Sequence, residues 1–370
     1  MKHCAGPLRR LRDDLAALER EGLLRVPPPS PGSARVFCSN DYLGLAAART
    51  RPGGAGAGAS RLVAGNCPEH TTLERRVREW LSVDDSLVFT SGYAANVGLL
   101  SALARPGDLI VSDVLNHASI IDGARLSRAR VAIVPHLDVE AVARTLSDRT
   151  EARAWVVTES YFSMDADSPD LRALRSVCDD ADASLIVDEA HAVGVLGPDG
   201  RGLCAAEGVV PDALVGTFGK AFGAGGAFVA GSRELCLWLW NRARSFVFST
   251  GLSPVVAETA SAALGHAQGH PELRHAVGAR AEQFRRGLRG LGIAATGFGH
   301  IVPWIVGEPA RAVRVARLLL ERGIFVQAIR PPSVPTGTAR LRFTASAAHT
   351  TGDVEAALAA VEEVLRCADA

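Results

Sequence analysis

Lysine is almost absent from this sequence: of its 40 basic residues only Lys2 and Lys220 are lysines, and the rest are arginines. A chain that uses arginine for ordinary surface charge keeps lysine where arginine cannot serve. One such task is attack on a carbonyl by a neutral primary amine, because a guanidinium stays protonated. Lys220 lies in Gly216-Thr217-Phe218-Gly219-Lys220-Ala221-Phe222-Gly223, just past an apolar run. Flanking glycines let a lysine lie close to a planar ligand, and Thr217 offers a hydroxyl to a phosphate. A second group is Asp188, which ends the apolar run Leu185–Asp188 and opens Asp188-Glu189-Ala190-His191. A carboxylate at the end of an apolar strand is costly unless it meets a cation. A protonated pyridine nitrogen would be such a cation, and the pairing would keep the ring an effective electron sink. The third group is Thr90-Ser91-Gly92-Tyr93-Ala94-Ala95-Asn96, a strand end turning into a helix. Backbone N–H groups at such a start, with Ser91 and Gly92, form a phosphate cradle. His117 in Asn116-His117-Ala118-Ser119 is placed to stack on a ring, and Ser163 stands in Tyr161-Phe162-Ser163-Met164-Asp165. Each also has a plainer reading, as a chance lysine, a capping aspartate, a structural histidine or a turn serine.

These residues need elements that bring them together, and the apolar pattern supplies them. Short apolar runs occur at Ser86–Thr90, Leu109–Ser112, Val131–Pro135, Trp155–Thr158, Leu185–Asp188, Leu214–Phe218 and Ala227–Ala230. Several are separated by helix-length segments such as Tyr93–Leu103 and Asp170–Asp180. Continuous rather than alternating runs suit strands buried on both faces, so the fold class is α/β, a mostly parallel central sheet covered by helices. Ligands of such sheets collect beyond the carboxyl ends of the strands, where Asp188, Lys220, Ser91 and His117 all fall. After Pro254 the pattern changes to longer helices (254–268, 272–291, 309–322, 353–366) and a few strands (301–306, 324–328, 340–344), as in a smaller α+β domain. Residues 8–24 read as an amphipathic helix closed by Pro27-Pro28-Pro29. The expected organisation is an N-terminal helical segment (1–38) joining the small domain, a large ligand-binding domain (39–253) and a small C-terminal domain (254–370).

Composition excludes several classes. Lys and Arg balance Asp and Glu at 40 each, without the surplus of a general nucleic-acid binder. No run approaches ~18 uninterrupted apolar residues. The 7 cysteines are scattered with no C-x-x-C pair, which reads as reduced thiols in a soluble cytoplasmic protein and not as a metal site. Asp188-Glu189-Ala190-His191 also spells a helicase signature, but a helicase needs a phosphate loop ending in G-K-[ST], and Ala221 follows Lys220.

Taken together, the segments resemble the α-oxoamine synthases, pyridoxal-phosphate enzymes with the type I aminotransferase fold. The resemblance runs from Ser39-Asn40-Asp41-Tyr42-Leu43-Gly44-Leu45 to Arg340-Leu341-Arg342. Between them stand Ser60-Arg61-Leu62-Val63-Ala64-Gly65, Ser91-Gly92-Tyr93-Ala94-Ala95-Asn96, Phe162-Ser163-Met164-Asp165-Ala166-Asp167, Asp188-Glu189-Ala190-His191-Ala192-Val193-Gly194 and Thr217-Phe218-Gly219-Lys220. The resemblance implies that Lys220 carries pyridoxal 5'-phosphate as an imine, Asp188 meets the pyridine nitrogen and His117 stacks on the ring. It places Ser163 and His191 near the phenolic oxygen, and Ser91, Gly92, Tyr93 and Thr217 around the cofactor, Thr217 near its phosphate. It assigns Arg25, Ser333 and Arg342 (with Arg340 as the alternative) to substrate, a planar guanidinium suiting the amino acid's carboxylate. The segment Ala328-Ile329-Arg330-Pro331-Pro332-Ser333-Val334-Pro335 points to the branch that condenses L-alanine with a pimeloyl thioester, releasing carbon dioxide on the way to biotin. The donor would be an acyl-CoA or an acyl-carrier-protein thioester. Sister activities take glycine or serine with another acyl-CoA, and a non-catalytic partner subunit would be expected to lose Lys220. The family's shared active sites imply a homodimer. Between Leu45 and Ser60 the chain is shorter than the family's and too glycine-rich for the helix found there.

Overall fold

The computed structural model describes residues 17, 19–22, 35–37, 43 and 56–368. Most of the helix expected over 8–24 lies outside them, although Ala17, Glu19 and Arg20 are helical. Arg25, the motif residues 39–42 and 44–45, and residues 46–55 of the short segment also lie outside.

The expected mostly parallel sheet is present. It comprises β2 (Asp85–Phe89), β3 (Leu109–Asp113), β4 (Arg130–Val134), β5 (Ala154–Glu159), β6 (Ser184–Asp188), β7 (Ala213–Thr217) and β8 (Ala227–Gly231), in the order β2-β8-β7-β6-β5-β3-β4. Only β8 runs against its neighbours; the β7-β6-β5-β3-β4 pairings are parallel. Successive side chains of a strand face opposite ways. In β6, Leu185 and Val187 enter one apolar core while Ile186 enters the core on the other face. Both faces are covered, which is why the run is apolar throughout. The strand Val131–Pro135 departs from that reading: β4 is the sheet's edge, and Val131 and Ile133 are 37% and 68% exposed.

The helices α1 (Pro68–Leu81), α2 (Gly92–Leu103), α3 (Ala118–Ser127), α4 (Val139–Ser147) and α5 (Leu171–Asp180) accompany the first strands. Ser91, Asp138 and Asp170 cap α2, α4 and α5 by accepting an N–H bond from the third residue on. The short α6 (Leu203–Glu207) precedes β7, and α7 (Arg233–Arg242) and α8 (Arg244–Val247) follow β8. Beyond them come α9 (Pro254–Gly269), α10 (Pro271–Gly290), α11 (Pro309–Glu321) and α12 (Thr351–Ala368). A second, antiparallel sheet has the order β11 (Ala328–Ile329), β12 (Ala339–Thr344), β9 (Ile301–Gly307). The strand expected over 324–328 is two elements: β10 (Ile324–Phe325) pairs instead with β1 (Arg35–Val36). On β12, Leu341 and Phe343 join the main core, so alternation turns Arg340 and Arg342 to the opposite side. Among the described residues no helix is long and apolar enough to cross a membrane.

Candidate active site

The carboxyl ends of the parallel strands bring three of the expected groups together. Asp188 ends β6 at 7% exposure. Its Oδ1 accepts from the Ala190 N–H (2.8 Å) and its Oδ2 from Asn96 Nδ2 (2.7 Å). Asn96 is the polar residue on the buried face of an otherwise apolar α2, and the same amide nitrogen donates to Ser119 Oγ at 2.9 Å. Ser119 Oγ in turn lies 2.8 Å from Nδ1 of His117, and the Ser119 N–H donates to that nitrogen at 3.2 Å. A ring nitrogen that accepts a backbone N–H carries no proton, so the neutral His117 keeps its hydrogen on Nε2. A continuous hydrogen-bonded chain thus fixes His117 relative to Asp188. Burial lowers the imidazole's pKa, and Lys220 adds to this while Asp188 opposes it.

A further carboxylate stands beside Asp188. Glu159 ends β5 directly opposite Asp188 in the strand register and accepts the His117 N–H at 2.8 Å. Burial, followed by the Asp188 charge, pushes Glu159 up to about 8. Two adjacent buried carboxylates resist sharing full charge, so Glu159 is the one kept protonated near neutrality. It was not among the residues expected from sequence, because the run Trp155–Thr158 ends one residue short of it. Extending the rule that singled out Asp188, a carboxylate closing an apolar strand, would have found it.

Lys220 sits in the turn between β7 and β8. Thr217 Oγ1 donates to the Gly226 carbonyl (3.0 Å) and accepts from the Gly219 N–H (3.2 Å), and Phe218 N–H meets the same carbonyl at 3.0 Å. These bonds close the turn around Lys220. A Cβ at Gly219 would touch nothing closer than 3.6 Å, so the side of the turn next to Lys220 is open to a ligand. Burial brings the Lys220 pKa down to about 8 against the pull of Asp188 and Glu159, with Arg342 lowering it further. At the start of α2, a Cβ on Gly92 would lie 3.9 Å from Thr217 Cβ, so the helix N-terminus and Thr217 adjoin. Ser91 Oγ itself is used as the helix cap, and Tyr93, 48% exposed, bonds through its hydroxyl to Asp122.

His191, in the loop after β6, is buried, and its pKa falls well below the ordinary value through burial and then through Lys220, Arg342, His300 and His117. The neighbouring Glu189 points elsewhere: it accepts from Ser160 Oγ (2.7 Å) and from the N–H groups of Leu203 and Cys204 (3.0 and 2.7 Å). The helicase-like tetrad is therefore one site carboxylate followed by one loop anchor. Arg340 and Arg342 divide similarly. Arg340 Nη1 is bound to Asp165 Oδ1 (2.6 Å) and the Met164 carbonyl (2.9 Å), whereas Arg342 lies among Lys220, His191 and His300 as the charge acting on each.

A cavity of about 470 Å3 adjoins His117 and Glu159. Residues 114–118 and 162–165 form two of its walls and Pro332–Pro335 a third, so His117, Ser163 and Ser333 share it with Glu159. In the block 60–65, by contrast, Arg61 is structural: it grips Glu74 through two N–H bonds and lies 5.0 Å from the Trp240 ring centroid.

The donor set fits pyridoxal phosphate. A helix N-terminus adjoins Thr217, a half-buried lysine flanks an open turn, and a buried carboxylate held by two donors acts on that lysine.

Comparison with known proteins agrees with that geometry. The family model for aminotransferase class I and II matches residues 35–361. The 8-amino-7-oxononanoate synthase of Anaeromyxobacter dehalogenans (strain 2CP-1) is 46% identical over 383 residues, spanning 97% of this chain and 96% of its own. A protein of the same name from Geotalea daltonii is 45% identical over 347 residues, 90% of this chain and 88% of its own. Among solved structures, the serine palmitoyltransferase of Sphingomonas wittichii has a TM-score of 0.91 at 30% identity, covering 99% of both chains.

Proposed function

Because the chain belongs to the aminotransferase class I and II family of pyridoxal-phosphate enzymes, and within it to the α-oxoamine synthases, we propose that it condenses L-alanine with a pimeloyl thioester, releasing the free thiol and carbon dioxide and yielding 8-amino-7-oxononanoate for biotin synthesis. The observation that carries this reading is the cluster of Lys220, Asp188 and His117, with His117 also lining a cavity of about 470 Å3. The curated relatives at 46% and 45% identity bear the name of that synthase, while the 30% identical structure is a serine palmitoyltransferase; the nearer likeness favours alanine and pimeloyl over serine and a long acyl chain.

Pyridoxal phosphate, when bound, supplies the carbonyl that captures an amino group and the ring that spreads negative charge from the α-carbon. Everything else falls to the chain. Asp188, fixed by Asn96 and the Ala190 N–H, keeps a proton on the ring nitrogen. With the cofactor bound, His117 would lie against its ring, and the proton that Ser119 holds on Nε2 would be available to a substrate oxygen. Ser163 and His191 would serve the phenolic oxygen, Ser91, Gly92 and Tyr93 would line the cofactor site, and Thr217 would stand near the phosphate. Arg342 clamps the amino acid's carboxylate, whereas Arg340 is already committed to Asp165. Ser333 and the apolar walls receive the acyl group, with Arg25 assigned to the same substrate. The freed Lys220 amine removes the α-proton and later returns it. A homodimer with shared sites and a coenzyme A or carrier-protein donor complete the proposal.

Lys220's depressed pKa gives a pH dependence. With a value of about 8, roughly a tenth of the amine is neutral at pH 7, against less than about a thousandth for an ordinary lysine. The rate at which cofactor-free protein captures pyridoxal phosphate should therefore rise with pH up to about 8 and level off above it. Rapid-mixing absorbance measures this; a rate still climbing steeply beyond pH 9.5, towards the ~10.4 at which an unperturbed lysine titrates, would contradict it.

The reaction itself is tested by thiol release from L-alanine, glycine and L-serine, each paired with pimeloyl-, acetyl- and palmitoyl-CoA. Alanine with pimeloyl-CoA should exceed every other pair in kcat/KM by about tenfold or more. A better glycine or serine pair would reassign the substrates.

A further inference from the structure

His136 follows β4 and plays no part in the chemistry above. Its ring nevertheless joins two loops that do. Nδ1 lies 3.0 and 3.1 Å from the two oxygens of Asp113, and Nε2 lies 3.2 Å from Asp167 Oδ2. With a carboxylate at each nitrogen, the ring meets both only as a donor on both sides, that is, as imidazolium. Its edge packs against Phe162 at 4.5 Å between centroids, an interplanar angle of 90°.

Asp113 is the foot of the turn that delivers His117. Its Oδ1 accepts the Leu115 N–H (2.8 Å), its Oδ2 the Leu137 N–H (2.9 Å), and its carbonyl the Asn116 N–H (3.2 Å). Asp167 closes the other loop: its carbonyl accepts the Phe162 N–H at 2.9 Å, and the Phe162 carbonyl accepts the Ala166 N–H at 2.9 Å. Among the described residues, Oδ1 of Asp167 is buried with no hydrogen-bond donor, so the charge of that carboxylate rests on His136. The far side of the same loop is held by a second cation, Arg340, at Asp165. The two loops tied by His136, 113–117 and 162–167, are the ones that wall the cavity.

We infer that His136 is a positioning residue: a cationic bridge that sets the separation of the His117 turn and the Ser163 loop, and with it the width of the acyl-binding cavity. Burial disfavours the imidazolium, but the hydrogen bonds to Asp113 and Asp167 outweigh it and push its pKa to about 10, so the bridge stays charged across the neutral range. The acyl role of the cavity rests on the proposed function; the bridge itself rests on the geometry.

Three variants test it: His136→Gln, Asp167→Asn and the pair combined. None removes a group that touches cofactor or substrate, so each should still take up pyridoxal phosphate with the wild-type absorbance. Each single variant should raise KM for the acyl thioester by about tenfold, with KM for the amino acid changed less than about twofold. The double variant should be no worse than the worse single one, because both break the same contact. An acyl KM within about twofold of wild type in both single variants, a parallel rise in both KM values, or additive losses would each overturn the inference. Should His136→Gln fail to fold, the milder Asp167→Asn variant alone decides between these outcomes. If wild type prefers another amino acid and acyl donor, the proposed substrates fail while the same comparison, made with that pair, still judges the bridge.

Discussion

Replacing Lys220 by alanine should abolish thiol release, with kcat falling at least about a thousandfold, and should remove the absorbance of covalently held cofactor. The expectation follows from where the amine stands. It is the lysine that the parallel strands carry to the carboxyl edge of the sheet, and an arginine cannot take its place, because a guanidinium does not supply the neutral primary amine the chemistry needs. Lys220→Arg separates charge from chemistry: it preserves the cation beside Asp188 and Glu159 yet should be as inactive as the alanine variant. Multiple turnover by either variant at more than a few per cent of the wild-type rate would remove Lys220 from its assigned role.

Asp188→Asn should leave the fold and cofactor capture in place while lowering kcat on the order of a hundredfold to a thousandfold. Asparagine fills the same space and its Oδ1 can still accept from the Ala190 N–H, while its Nδ2 meets Asn96 once that amide turns its oxygen inward, so packing at this buried strand end changes little. What disappears is the charge that keeps a proton on the ring nitrogen. Glu159 does not restore it, although losing its charged neighbour lets its own pKa fall, because it is directed at the His117 backbone. Steady-state rates with a melting curve as control separate this effect from unfolding. A variant within about threefold of wild type in kcat would show that the carboxylate is not the ring's partner.

Much of this site was legible in the sequence because two rules happen to converge at strand ends. A polar or charged residue closing an apolar run marks a position beyond a parallel strand, and that is where Asp188, Lys220 and the Ser91 turn are found. The same rule passed over Glu159 only through a strand boundary set at Thr158. Asn96 lay inside a recognised block, but its connection with Ser119 and His117 depends on three elements meeting, which spacing along one chain does not encode. Arg340 and Arg342 are two residues apart on one strand face, so the pattern could not divide their roles; the contact of Arg340 with Asp165, 175 positions away, does. His136 was invisible for the same reason, since its two carboxylates lie 23 and 31 residues off. Among the strands, β4 reads as apolar as the buried ones, yet being last in the sheet order it keeps one edge and much of its surface exposed. The run 324–328 reads as one strand and is divided between two sheets, a difference that only the partners β1 and β12 create.

The central claim is a condensation that breaks the amino acid's own carboxyl bond. It is tested most directly with L-alanine labelled at the carboxyl carbon, pimeloyl-CoA and cofactor-loaded protein, following label and product mass together. The label should leave quantitatively as carbon dioxide, one per thiol released, and the product should have the unlabelled mass of 8-amino-7-oxononanoate. Label retained in the product, or thiol released without carbon dioxide, would contradict the account.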